Sequence, residues 1–281
     1  MKQLALPSRA RGLSLVEMMV SLVIGLVVVG AVLSSYIASG KSNRFQAAYA
    51  EMNENAQIGL GILARDLLLA GYAQPTGINA GSTAFTRTYS GRPVFGCDNG
   101  FVAPNTAGAV ACSVAAGTPA IEVVYEADLT NTVPTSANIP SDCLGAGLTL
   151  VGASYFAHNR YYLANGSTGR SELHCASDKA GASGQPLVDN VENMKIWYGE
   201  ANAAAPRNIV RYVSAANLAD NTFMNVVSVR VCLLMRSAEP VLNGEDTATY
   251  LDCDSVEQTS GDRYLRRAYF TTSTLRNKMA F

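Results

Sequence analysis

Apolar and polar positions divide the chain into three textures. Leu13 to Leu33 is an apolar run of 21 residues whose only charge is Glu17. At about 1.5 Å per residue, a helix of that length rises roughly 31 Å, close to the thickness of a bilayer's hydrocarbon core. Further on, Phe45, Tyr49, Met52, Ala56, Leu60, Leu63, Leu67 and Ala70 recur at spacings of three and four. That stripe predicts an amphipathic helix. No proline lies between Pro7 and Pro75, so the two segments read as one helix, with Gly71 as its stop. From Leu13 to Ala70 it would be roughly 87 Å long at about 1.5 Å per residue. A coiled-coil seam is the alternative use of the stripe; packing on the chain's own sheet is the reading preferred. Gly59 and Gly61 weaken the second half, and the pattern gives no reason for them.

After about residue 75 the period changes. Residues 75–120 are rich in Gly, Thr, Ala, Asn and Pro and read as loop with few strands. Ile121 to Glu126 is the first firm strand, and residues 160–164 and 170–175 flank an Asn-Gly-Ser-Thr-Gly turn as a hairpin. Val191 to Tyr198, Asn225 to Arg236 and Tyr264 to Thr272 are further strands. Val227, Val229, Val231, Leu233 and Met235 alternate as one face of a half-buried strand. One long helix followed by a strand-rich body predicts an α+β fold with a single antiparallel head, large enough to bury a core.

Charge adds a topology. Lys2, Arg9 and Arg11 precede the apolar run and no acid does. The positive-inside rule then puts the N-terminus in the cytoplasm and residues after about 34 outside. A cleaved secretory signal has a shorter apolar core and an A-x-A-like site after it. Ala31, Ser34, Ser35 and Ala38 could mimic such a site, but it would leave Glu17 unexplained. An acid inside a membrane segment is costly and marks function. A cut after Gly12 would place a new α-amine on Leu13, four residues before Glu17, and an ammonium–carboxylate pair can set register between packed helices. The alternative, an acid favoured by the helix dipole, is worth only about 0.3–1 kcal/mol and says nothing of Gly12.

Gly12-Leu13-Ser14-Leu15-Val16-Glu17 resembles the class III signal of type IV pilins and type II secretion pseudopilins. The resemblance implies that a prepilin peptidase cuts after Gly12, that Leu13 is methylated on its α-amine, and that Glu17 pairs with a neighbouring subunit's N-terminus during assembly. It implies a leader over 1–12, a transmembrane and assembly helix over 13–34, its amphipathic continuation over 35–72, and a head over 73–281. The family usually has Phe where this chain has Leu13, and many major pilins have Pro where it has Ser34, so the helix kink of those pilins is not expected. Within the body, Leu63-Ala-Arg-Asp-Leu-Leu-Leu-Ala-Gly-Tyr72, Leu187 to Gly199, Val226 to Ser237 and Arg267 to Thr272 resemble stretches of PilW-like minor pilins, in the same order.

Candidate chemistry is sparse. The six cysteines, Cys97, Cys112, Cys143, Cys175, Cys232 and Cys253, all follow the membrane run. None forms C-x-x-C, so zinc-ribbon and thioredoxin spacings are missing. An oxidising compartment favours disulfides. Fifteen connectivities are open; sequence neighbours suggest Cys97–Cys112, Cys143–Cys175 and Cys232–Cys253, with a buried free thiol as the alternative for Cys232. His158 and His174 are the only histidines, and no nucleophile motif accompanies them. Asp252, Asp254 and Glu257 are hard-oxygen candidates for calcium, but they lack the glycine and ligand order of an EF-hand, and a solvated acidic loop is the preferred reading. No other cofactor is expected.

The chain has 21 basic and 22 acidic residues, and loss of the leader would leave 18 against 22. That balance lacks the basic footprint of a nucleic-acid binder. The resemblance thus implies a non-enzymatic minor pilin. It would be held as a single pass in the inner membrane with a periplasmic head, then move to the pilus, at its tip. Its partners would be other minor pilins, the major pilin, prepilin peptidase, the inner-membrane assembly platform and a tip adhesin. A J-type pseudopilin and a membrane-anchored periplasmic enzyme are the competing readings.

Overall fold

The computed structural model describes residues 12, 14–78, 81, 85–87, 91–179, 183–202, 204–218, 220–244 and 246–278. Helix α1 (Leu15–Leu69) is continuous. The chain divides into two compact units, residues 1–47 and residues 48–281. In the first, α1 is predominantly apolar from Leu15 to Ile37, with Glu17 its one charge there, and the large apolar side chains of that stretch are all exposed. Ser34, where many major pilins carry proline, folds back into the helix: its Oγ donates to the Ala31 carbonyl at 2.9 Å.

In the second unit α1 changes character. Ala48, Met52, Ala56, Gly59, Leu63, Asp66 and Leu67 are buried, one face at helical spacing. The expected stripe is therefore present but rotated slightly: Gly59 and Asp66 belong to it, while Tyr49 stays partly exposed. The helix ends as its glycine requires. Gly71 has φ +71°, a left-handed conformation that costs glycine little, and its N–H donates to the Val124 carbonyl. Asn277, in a 3₁₀ turn near the C-terminus, fastens the same end by donating from Nδ2 to the carbonyls of Leu68 and Leu69 at 3.0 and 3.3 Å.

The strands follow in chain order: β1 (Pro75–Ile78), β2 (Phe85–Arg87), β3 (Val94–Cys97), β4 (Ala120–Ala127), β5 (Leu150–Val151), β6 (Ser154–Asn165), β7 (Ser171–Ser177), β8 (Gln185–Val188), β9 (Val191–Asn202), β10 (Ala205–Val213), β11 (Val226–Arg236), β12 (Thr249–Leu251), β13 (Glu257–Thr259) and β14 (Arg266–Thr274). All pairings are antiparallel. One sheet runs β3-β4-β6-β7-β8, with β5 added to the end of β6; a second runs β10-β9-β11-β14; β1-β2 and β12-β13 are separate hairpins.

Gly59 is where helix and both sheets meet. A Cβ there would lie 3.0 Å from Leu233 of β11, 3.4 Å from Val188 of β8 and 3.5 Å from Leu173 of β7. The glycine lets α1 approach closely, which the pattern of apolar positions could not reveal. One expectation needs correction. β11 is not half-buried: apart from Arg230 and Arg236, both of its faces are covered. The second face is covered because the disulfide Cys232–Cys253 holds the segment around β12-β13 against it, with Leu234, Trp197, Tyr250 and Ala268 packed around the bridge.

Candidate assembly site

The first turn of α1 carries Glu17, the only charge between Gly12 and Lys41. Glu17 is exposed, and its side chain makes no hydrogen bond or ion pair among the described residues; the Ser21 hydroxyl donates instead to its backbone carbonyl at 2.7 Å. Gly12 is exposed with open space around it, while Leu13 and the basic leader residues lie outside the described residues. A carboxylate in an otherwise apolar stretch of helix is satisfied only by a partner from another molecule or by the interface water at the membrane edge. Gly25, Gly30 and Gly40 likewise have nothing within 4 Å of an added Cβ.

Three disulfides pair the head's six cysteines in chain order: Cys97–Cys112, Cys143–Cys175 and Cys232–Cys253. The first closes a loop that Arg160 organises from inside. Arg160 is 0% exposed. It donates to Glu122 Oε1 at 2.9 Å, to the carbonyls of Pro104 and Thr106, and to that of Gly108. A buried guanidinium is tolerable only when its donors are taken up this fully. Burial works to raise the Glu122 pKa, but His158 and Arg160 beside it win, and its carboxyl sits below the usual range. Thus His158 lies 3.5 Å from Glu122, and His174 lies 3.2 Å from Glu172, each in a structural contact.

A second polar cluster joins helix to sheet. Asp66 Oδ2 accepts from Tyr161 Oη and Asn159 Nδ2, both at 2.6 Å. Asn159 Oδ1 in turn accepts the Cys143 N–H at 3.0 Å, so the chain of bonds reaches the second disulfide. Burial raises the Asp66 pKa, against the pull of these hydrogen bonds and of Arg65. Neither Asp66 nor Arg160 stands out in the sequence. The available signals are that Asp66 falls on the apolar stripe between Leu63 and Leu67 and lies within the stretch from Leu63 to Tyr72 that resembles PilW-like minor pilins.

The calcium candidates are engaged locally. Asp252 accepts from the N–H groups of Asp254 and Val256 and from Gln258, and Asp254 pairs with Lys195. Glu257 lies exposed in β13. Among the described residues no three His, Cys, Asp or Glu side chains are grouped to hold a metal.

The model of a family described as Type IV Pilus-assembly protein W matches residues 160–277, and one described as Prokaryotic N-terminal methylation motif matches residues 7–33. Over these two segments the chain resembles PilW-like type IV pilins. The PilW match begins in the middle of β6, at the buried Arg160, and runs past β14 to Asn277. Among solved structures, a type IV-like pilin from Thermus thermophilus is 13% identical, with 81% of this chain and 98% of that chain covered at a TM-score of 0.38. No curated protein matches the chain. Pilins of this kind are structural filament components and not enzymes.

Proposed function

We propose that this PilW-like pilin is a minor pilin that primes type IV pilus assembly, in a complex with other minor pilins at the filament tip. Residues 1–12 serve as the leader, prepilin peptidase cuts after Gly12, and Leu13 receives the methyl group. Residues 13–34 anchor the chain in the inner membrane with the N-terminus cytoplasmic, residues 35–72 continue the helix, and residues 73–281 form the periplasmic head. The assembly platform then draws the subunit into contact with the major pilin, and a tip adhesin can be carried above it.

The observation that carries this reading is the exposed apolar half of α1 with its single unpartnered acid. Burying one large apolar side chain is worth about 1.5–3 kcal/mol, so such a surface is stable only in lipid or against other helices. Lipid would accept the apolar residues and leave Glu17 without a partner, whereas a bundle of like helices accepts both. The PilW family match favours a pilus role over the pseudopilin alternative.

The test is a strain lacking this chain. It should make major pilin at normal levels but display few or no surface filaments, and antibody against the head should label filament ends when the chain is restored. Normal filament numbers in the deletion, or label spread along the shaft, would contradict the proposal.

A further inference from the structure

The head contains a cavity of about 380 Å³ beside α1, with the segment after β4 as one wall. Its chemistry is uneven. Ile62, Val133 and Leu187 contribute apolar surface, while two acids, Asp66 and Asp142, line the same space. Asp142 is only 6% exposed. Its Oδ1 accepts from the Leu144 and Ala146 N–H groups, but its Oδ2 is buried with no hydrogen-bond partner. Asp66 uses Oδ2 for both of its donors, and its Oδ1 takes none among the described residues. Asn159 ties the two walls together, donating to Asp66 and accepting from Cys143, the residue after Asp142. Arg65 at the rim acts on Asp66 through charge alone, without a hydrogen bond.

We propose that this cavity is a binding site for an alkyl chain ending in a guanidinium or ammonium group. The stem lies on Ile62, Val133 and Leu187, and the head group donates to Asp66 and adds a counter-charge beside Asp142. A cation of this kind supplies several N–H donors to carboxylate oxygens that have none, in charge-assisted bonds. The apolar walls suit its methylene stem. A bare metal ion would leave most of the space unfilled, and it would lack a third anionic ligand. An anionic ligand would be repelled. The same chemistry has two sources: an Arg or Lys side chain of a neighbouring pilin, or a free alkylamine.

The experiment uses the full chain in detergent and titrates butylguanidinium by calorimetry, with 1-butanol as the neutral probe. Butylguanidinium should bind saturably and at least tenfold tighter than 1-butanol. Asp142→Asn should weaken it about tenfold. Leu187→Trp, or Ile62→Trp if the first disturbs the head, should abolish it while leaving the melting temperature unchanged, because both residues are only partly buried. Equal binding of the two probes, or undiminished binding in the acid and blocking variants, would overturn the site. The source is then read in cells with a photo-crosslinking residue at Leu187. A crosslink to another pilin that Asp142→Asn removes assigns a neighbour's side chain; no crosslink, with probe binding intact, assigns a free amine. The calorimetric result is independent of filament number, so failure of this site and failure of the priming role are distinguishable.

Discussion

Tyr161 Oη donates to Asp66 Oδ2 at 2.6 Å, linking the central strand of the larger sheet to the buried face of α1. The bond joins residues 95 apart in sequence, and both are buried. Removing the donor leaves a buried carboxylate with one partner fewer, for which the expected penalty is about 1–3 kcal/mol. Tyr161→Phe should therefore lower the unfolding free energy by about that amount in urea titration, with the m-value unchanged. The pH dependence has a definite sign. Because the folded pKa of Asp66 is raised above the unfolded value, its contribution to stability is fully present below the unfolded pKa and is lost as pH rises through the folded pKa. Asp66→Asn should flatten that part of the stability profile, and an unchanged profile would count against this reading of the cluster.

Gly59 and Gly61 make a paired prediction. Gly59 has Leu233, Val188 and Leu173 at contact distance, whereas Gly61 faces open space. Gly59→Val should destabilise the head by about 1–3 kcal/mol through overpacking. Gly61→Ala should stabilise it by up to about 1 kcal/mol, since alanine is the better helix former and meets nothing. Thermal melts of the two variants should move in opposite directions.

The disulfides predict a redox response. Protein denatured without reductant should give no alkylation at Cys97, Cys112, Cys143, Cys175, Cys232 or Cys253. Replacing Cys232 and Cys253 together by Ala should cost about 2–4 kcal/mol and release the covering from the outer face of β11. Labelling of all six cysteines in the oxidised protein would refute the pairing.

Processing has its own signature. Mass spectrometry of the mature chain should find Leu13 as the first residue with an N-methyl group. An intact Met1, or a start near Ala38, would remove the basis for the assembly role.

Much of this was legible in the sequence because it is written in periodicity. The apolar run, the stripe at three and four, and the alternation of β11 each depend on local spacing. What was not legible depends on contacts across the chain. Gly59 looks like a weak point in a helix until Leu233 is seen against it. Asp66 breaks an apolar stripe in the sequence, and only the distant Tyr161 and Asn159 make its burial tolerable. Arg160 reads as an ordinary strand residue, yet it is wholly buried because a disulfide-closed loop turns its carbonyls inward. The second buried face of β11 was hidden for the same reason, since its cover arrives through Cys253.

The measurement closest to the central claim is surface filament number and partner recovery in a strain carrying Glu17→Ala. The substitution removes the only charge in the apolar run and leaves the head untouched. The protein should still insert, be cut after Gly12 and form its disulfides. Filaments should fall to the level of the deletion strain, and other minor pilins should no longer co-purify with it. Normal filament numbers with normal partner recovery would contradict the account and leave Glu17 without an assembly role.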